Sequence, residues 1–439
     1  MGNTLGELCI ITKGITGIQK AIPGQYPLVV TAEERKSHNE YQFDDEAVIV
    51  PLVSGTGHGH ASINRIHFQK GKFALGSILC AIIPKDKSIL NAEYLFRFLN
   101  LNKDNELVAR MRGMANVTLP IKEIAKIEIP LPSLAEQLEF VEKYKILEEN
   151  SQSIEIEFQN QLSLVKQLRQ SFLSEAMQGK LVTAPSSQVS AGGEATGQQL
   201  LARIKAEKAQ LIKDKKLKKE KELPPIKPEE IPFEIPKDWV WCRLGEIGNL
   251  KRGKSKHRPR NDIRLFSQGT IPFIQTGDVS KAKFNSDRIT TINGYYNEFG
   301  LNQSELQKKD TLCITIAANI AECGFLDFDA CLPDSIVCFL AIDNIIEKYV
   351  YYYLALAKEE LERYAPATAQ KNINLGILND LKIPFPPLSI QNQIVAKLDE
   401  LMKTCDDLEN SIKQSQLQNE QLLQQVLKEA LEVRVEVIN

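Results

Sequence analysis

No segment of the 439 residues is apolar over the length needed to cross a membrane. The first residues, Met1-Gly2-Asn3-Thr4, run straight into Leu5-Gly6-Glu7 with no basic or apolar leader, so a cytoplasmic location is expected. The eight cysteines (9, 80, 242, 313, 323, 331, 338 and 405) include no CxxC pair. They are expected to be reduced, packed thiols, not zinc ligands or disulfides. Positive charge is not in excess. The formal net charge of −2 gives no support to an indiscriminate nucleic-acid coat, and leaves any DNA contact to local basic patches. Signatures of catalysis are missing as well. There is no Asn/Asp-Pro-Pro-aromatic segment of the amino-methyltransferase kind, no nuclease-like pair of carboxylates with a lysine, and no glycine-rich nucleotide loop after a strong strand. The chain is expected to bind rather than to catalyse, with no cofactor of its own.

What the chain does have is a repeat. Ile129-Pro130-Leu131-Pro132-Ser133-Leu134-Ala135-Glu136-Gln137 returns as Ile383-Pro384-Phe385-Pro386-Pro387-Leu388-Ser389-Ile390-Gln391 in one ungapped register. That register continues through Leu147/Leu401, Leu168/Leu422 and Ala176/Ala430. Upstream, Leu5-Gly6-Glu7 with Lys13-Gly14 is echoed by Leu244-Gly245-Glu246 with Arg252-Gly253. The order is globule, Pro-capped helix, globule, Pro-capped helix. A chain built this way folds with approximate two-fold symmetry and presents two non-identical heads to a two-fold object, of which duplex DNA is the commonest.

Residues 5–132 and 244–386 each read as mixed α/β. Short β-type runs at 26–31, 47–53 and 77–83 are broken by Gly and Pro, and a short helix comes after them over 91–101. The second half repeats the scheme at 271–276, 335–340 and 348–357. After each Pro-rich step comes a helical pattern of about 45 residues, roughly 65 Å long. Its apolar residues recur at spacings of three and four: Ile154, Phe158, Leu162, Val165, Leu168, Phe172 and Ala176 in the first, then Ile394, Leu398, Leu401, Cys405, Leu408, Ile412, Leu422 and Val426 in the second. This is the seam of a coiled coil. Symmetry requires the two helices to run antiparallel, with the globules at opposite ends. Ser415 and Asn419 fall on the seam, where polar residues either fix register or mark a solvated stretch.

The expected boundaries are head 1 at 1–132, the first long helix at 133–182, a linker at 183–236, head 2 at 237–387 and the second long helix at 388–439. Within the linker, residues 184–197 are rich in Ser, Gly and Ala and read as flexible. Residues 200–221 form a charged helix with a Lys-rich end at 213–221, and Pro224, Pro225, Pro228, Pro232 and Pro236 make an extended strap. The lysine run reads as a solvated face or as a contact to phosphate or an acidic partner.

Residues 248–255 match the phosphate-loop pattern GxxxxGK[ST] letter for letter. The motif works only between a buried strand and a helix N-terminus, and Lys256-His257-Arg258-Pro259-Arg260 is a poor helix start. The segment reads better as a basic loop: Lys251, Arg252, Lys254, Lys256, His257, Arg258, Arg260 and Arg264 can track phosphates while one or two arginines reach base edges. Head 1 carries a thinner set, Lys13, Arg35, Lys36, Arg65, Lys70, Lys72, Arg110 and Arg112. His58 and His60, with His67 nearby, lack the further ligands of a metal site and read as donors or acceptors in a DNA-facing loop.

Four features together resemble the specificity subunits of type I restriction–modification systems. They are Pro236…Trp239…Leu244-Gly245-Glu246…Gly253; Gln370-Lys371-Asn372-Ile373 leading through Leu378 to Leu388; the two helical regions after the Pro-rich steps; and Gly179-Lys180-Leu181-Val182 with Leu200-Leu201-Ala202-Arg203-Ile204. The resemblance spans nearly the whole chain. Ile390 departs from the family's acidic residue before Gln391, which Glu136 keeps, and Gly113-Met114-Ala115-Asn116-Val117 is a loose form of the Gln-Lys-Asn-Ile segment. The resemblance implies two target-recognition domains, each reading one half of a split DNA site, joined by helices that set the gap. It implies docking of two adenine methyltransferase subunits, which bind S-adenosylmethionine, and of motor–nuclease subunits that use ATP and magnesium. The rival readings are a P-loop nucleotide-binding protein and a coiled-coil scaffold without DNA specificity.

Overall fold

The computed structural model describes residues 3–55, 60–114, 116–182, 195–218, 224–284, 286–342, 347–364 and 372–436. Contacts divide the chain into two units, Met1–Gln161 with Ser411–Asn439, and Leu162–Asn410. No described helix is long and apolar enough to cross a membrane.

In the first unit the unbroken apolar run Leu79–Pro84 is buried throughout and takes a central place in a sheet. Cys9–Lys13 and Ala47–Pro51 flank it antiparallel, and His67–Gln69 pairs with Ala47–Pro51. A second sheet runs Lys36–His38, Tyr26–Val29, Lys72–Leu75, Phe43–Asp44, with a parallel inner pair and antiparallel outer pairs. Helix Ala92–Leu101 is N-capped by Asn91 and packs Tyr94, Leu95, Phe98 and Leu99 into the core beside Val48 and Val50.

The second unit has the same two sheets in the same order. One is Gly248–Arg252, Ile336–Ala341, Leu312–Thr315, Cys323–Leu326, all antiparallel. The other is Gly294–Tyr296, Ile271–Phe273, Ala330–Cys331, Leu306–Gln307, again parallel inside and antiparallel outside. Strand Arg288–Ile289 is an addition, parallel to Cys323–Leu326. The repeat is one of topology.

The echoed residues explain themselves in the packing. A Cβ on Gly14 would lie 2.3 Å from the Gly76 carbonyl oxygen, and one on Gly253 would lie 2.3 Å from that of Pro333, so both positions admit only glycine. Gln137 is fully buried and donates to the carbonyls of Ile89 (2.8 Å) and Pro132 (2.9 Å), while accepting from the Asn91 amide at 2.8 Å. Gln391 repeats the bond to Pro386 at 2.8 Å. The departure at Ile390 also has a cause. Ser133 and Glu136 form a capping box at the first long helix, whereas Pro387 replaces the serine and Ile390 turns into the core.

The long helices, Leu134–Met177 and Leu388–Glu436, begin at the residues that the sequence repeat equates. They pack together and run antiparallel. In the first unit Asn419 donates to Ser151 Oγ (3.2 Å) and Gln416 to Glu155 (3.0 Å), so one helix ascends as the other descends. In the second unit Arg169 meets Asp406 (2.8 Å) and Glu409 (3.0 Å), and Leu173, Ala176 and Met177 share a core with Ile390, Ile394 and Leu398. Asn419 is thus a seam residue with a polar partner, while Ser415 bonds back to its own helix at Ser411. Part of the expected seam is displaced. Ile154, Leu168, Leu408 and Leu422 are exposed, and Arg169, Leu423 and Leu427 turn inward instead. A straight helix drifts about 20° per heptad, and a seam rich in polar groups does not force the supercoil that would correct it.

The linker helix, expected over 200–221, spans Gly197–Lys213 and ends early because Lys215 adopts φ 58°, with Lys216 donating back to Leu211. The described lysines at 215, 216 and 218 therefore lie beyond the helix. Residues 183–194, Lys219 and Lys221 lie outside the described residues. The strap is not wholly extended, since Pro228–Glu230 forms a 3-10 turn. All eight thiols are buried and unpaired, and burial pushes those of Cys9 and Cys80 up to about 12.

Candidate nucleic-acid interface

The basic loop of the second unit leaves the edge strand Gly248–Arg252 and rejoins the fold at Ile271–Phe273. Its start rules out a phosphate loop. The Gly248–Arg252 backbone pairs with Ile336–Ala341 rather than curling around an anion, and Ser255 is buried beside Tyr296. The chain then enters a turn and the 3-10 segment Ile263–Leu265, not an α-helix.

Four cations of this loop have carboxylate partners that are distant in sequence. Lys251 and Lys254 share Glu305, the latter at 2.6 Å, and together they hold its carboxyl below the usual range. Arg260 grips both oxygens of Asp334 (2.6 and 2.7 Å), and Arg258 lies 3.7 Å from the same carboxylate. Arg252 donates to the Asp334 main-chain oxygen. Arg264 pairs with Asp262 at 2.6 Å, and His257 reaches that carboxylate at 2.7 Å. Lys256 is exposed and has no carboxylate partner among the described residues. Seven Lys and Arg side chains thus stand against three carboxylates, a positive surface with its arginines held in place.

In the first unit the expected residues fall into separate groups. Arg35 donates to Gln69 (3.1 Å), the Glu33 carbonyl (3.0 Å) and His67 Nδ1 (3.1 Å), and Arg65 pairs with Glu33 at 2.9 Å. Lys36, on the strand beginning next to Arg35, is exposed, as is Lys13 at the end of Cys9–Lys13. Lys70 pairs with Glu46 (3.1 Å), while Lys72 lies 4.0 Å from Asp44 and over the Tyr41 ring. Arg110 is held by Glu106 at 2.7 Å, one helical turn away, and Arg112 is exposed on the bridge to Thr118. His60 contributes its main-chain oxygen to Ser54 Oγ, and His58 lies outside the described residues. Glu33, Asp262, Glu305 and Asp334 were not legible in the sequence as parts of these groups, because each is paired through tertiary structure or through a turn that only the fold reveals.

His67 is buried, with its Nδ1 taken by the Arg35 guanidinium. Burial, with Arg35 and Arg65 nearby, pushes its pKa from 6.5 down to about 4. The folded state holds it neutral while the unfolded chain protonates it, so its contribution to stability is complete above about pH 6.5. That contribution is lost as pH falls toward 4, by at most about 3 kcal/mol. Denaturant unfolding of wild type and His67→Gln should give a stability difference that shrinks between pH 7.5 and pH 5. Parallel curves would refute this.

The two units share two sheet orders and differ in the segments between the strands, with two additions in the second unit, strand Arg288–Ile289 and the pair Val240–Arg243 with Lys382–Phe385. The segment after the first sheet strand spans 14–25 in one and 253–270 in the other, and the connection between Ala47–Pro51 and His67–Gln69 corresponds to the shorter one between Leu312–Thr315 and Cys323–Leu326. A family model, Type I restriction modification DNA specificity domain, matches residues 3–164 and 236–418, one copy on each half. The chain belongs to the type I restriction–modification DNA specificity family. It is a specificity chain, the non-catalytic kind of component in such a system. The EcoAI specificity subunit of Escherichia coli is 30% identical over 260 residues, 57% of this chain and 42% of that subunit. The chain therefore aligns with less than half of that relative's length. The EcoDI specificity subunit of Escherichia coli is 26% identical over 97% of this chain and 86% of its own. In fold, the chain is similar to one in a structure of the type I R-M system solved to explain complex assembly and conformational transition. The TM-score is 0.66 at 17% identity, covering 98% and 97% of the two chains.

Proposed function

We propose that this specificity chain directs a type I restriction–modification complex to a bipartite DNA sequence. The observation that carries the reading is one scaffold built twice with different loops, the arrangement needed to read two different half-sites with common machinery. Residues 1–132 and 237–387 act as the recognition heads, and the helices at 133–182 and 388–439 set the gap. In head 2, Lys251, Lys254 and Lys256 contact phosphates, while Arg252, Arg258, Arg260 and Arg264 are the candidates for base edges. In head 1, Lys13, Arg35, Lys36, His58, His60, Arg65, Arg110 and Arg112 are the candidates for DNA contact, in separate groups. Two adenine methyltransferase subunits dock on the helices and heads, and bring S-adenosylmethionine. Motor–nuclease subunits join with ATP and magnesium for cleavage, and the assembly works in the cytoplasm, where the genome is.

Mapping methylated adenines in cells that carry this chain and its methyltransferase should return one split motif with a constant gap. Methylation of an undivided motif, or none that depends on this chain, would overturn the reading. A mobility-shift assay with and without methyltransferase addresses the scaffold alternative, which requires DNA affinity to be independent of this chain.

A further inference from the structure

Each head is fastened to a long helix by an ionic cluster, and the two clusters have opposite polarity at equivalent positions. Tyr94 and Tyr349 fix the equivalence of the short helices, because their hydroxyls donate to the carbonyls of Pro130 (3.1 Å) and Pro384 (2.7 Å). Those prolines correspond in the sequence repeat, so Glu93 corresponds to Lys348. Counted from Leu134 and Leu388, Lys145 corresponds to Asp399. Glu93 pairs with Lys145 at 3.1 Å, and Lys348 pairs with Asp399 at 3.4 Å. Acid and base have changed places.

Further groups reinforce each pair. In the first unit Arg97 reaches Glu148 (2.8 Å) and Glu93 (3.6 Å), and its guanidinium lies 4.3 Å from the centre of the Tyr144 ring. In the second, Lys348 also meets Asp287 at 2.9 Å and lies 5.5 Å from the ring centres of Tyr351 and Tyr352. Tyr351 donates to Asp287, and Tyr352 donates to Asp399. Asp287 sits at φ 63°, and its carbonyl accepts from the Phe325 amide at 2.8 Å beside the added strand Arg288–Ile289. Lys348 thereby ties the turn before that strand to the long helix.

Part-exposed ion pairs stabilise a fold only slightly. Cohesion at this junction comes from buried groups such as Tyr349, Ile390, Ile394 and Leu398. Apolar contact is non-directional, however, and tolerates small rotations that a three-way charge bridge resists. A head turning by about 10° on a lever of about 20 Å shifts its reading loop by about 3.5 Å, close to one base-pair step.

We propose that Lys348, with Asp287, Tyr351, Tyr352 and Asp399, is a positioning device that fixes the angle of head 2 on its long helix, and that Glu93, Arg97, Lys145 and Glu148 do the same for head 1. The proposal rests on the reading that the helices set the gap. It is tested in the full complex with its methyltransferase, by mapping methylated adenines. Lys348→Met and Asp399→Asn should keep both half-sites but relax the gap, so that sites one base pair longer or shorter reach at least a tenth of the methylation at the wild-type gap. Lys348→Arg should hold the gap more tightly than Lys348→Met. Glu93→Lys should relax the gap from the other end, and Glu93→Lys with Lys145→Glu should recover part of it by re-forming the pair in reverse, although Arg97 then faces a like charge at position 93. That rescue separates positioning from misfolding. An unchanged single gap in all the single variants overturns the proposal, as does loss of preference at one half-site with the gap intact, which would make these residues base readers. If the wild-type chain directs no bipartite methylation, the underlying reading fails first.

Discussion

Removing residues 151–157 from the first long helix together with 413–419 from the second should bring the half-sites about three base pairs closer and leave the bases read in each unchanged. The two segments face each other, with Ser151 opposite Asn419 and Glu155 opposite Gln416. Each deletion takes out about 10.5 Å of helix at 1.5 Å per residue, or about three DNA steps of 3.4 Å. Seven residues turn through about 700°, some 20° short of two full turns, so the seam stays in register and each head keeps its bearing. Deleting five residues from each helix turns the seam by about 140° and should abolish specific methylation instead of shortening the gap. The shortened site also rotates one half-site around the duplex by about 100°, so bending or twisting should lower affinity by a few kcal/mol. Methylated-adenine mapping reads both outcomes. An unaltered gap after the seven-residue deletion would show that something other than the helices spaces the heads.

The architecture was legible because local signals and long-range packing agree at the repeat. Pro130 and Pro384 each mark a boundary in sequence, and each supplies the carbonyl for a buried tyrosine hydroxyl. Gln137 and Gln391 recur in one register of the repeat, and both are buried donors to proline carbonyls. Other features depended on contacts that no local pattern encodes. The phosphate-loop letters at 248–255 lie on a paired strand, because the pattern specifies residues and not the strand-to-helix geometry that gives them meaning. Clustered cations were visible, but Glu305 and Asp334 reach them only through folding, so the sequence overstated the loop's free charge. The seam was placed correctly at Ile394, Leu398 and Cys405 and misplaced at Ile154, Leu168, Leu408 and Leu422, toward the polar middle of the helix pair, where the apolar stripe is thin.

Those pairings sharpen what substitution of the loop should do. Lys256→Ala should weaken binding to every sequence and reduce the steepness of log K against log salt by about 0.9, the share of one phosphate contact. Lys254→Ala should act in the same direction but less strongly, because Glu305 already draws its ammonium at 2.6 Å. Asp334→Asn should have the opposite sign, since it releases Arg260 and Arg258 from their shared carboxylate. Non-specific affinity and salt dependence should both rise, while discrimination falls as the arginines lose their fixed aim. Among Arg252→Ala, Arg258→Ala and Arg260→Ala, at least one should relax preference at a single position of one half-site, by about 1–3 kcal/mol or some 5- to 150-fold against the wrong base. The other half-site should be untouched, because a separate head reads it. Binding titrations at several salt concentrations, combined with selection from a randomised half-site library, measure both effects. If all these variants leave affinity, salt slope and preference as in the wild type, the loop is only solvated and head 2 reads DNA with another surface.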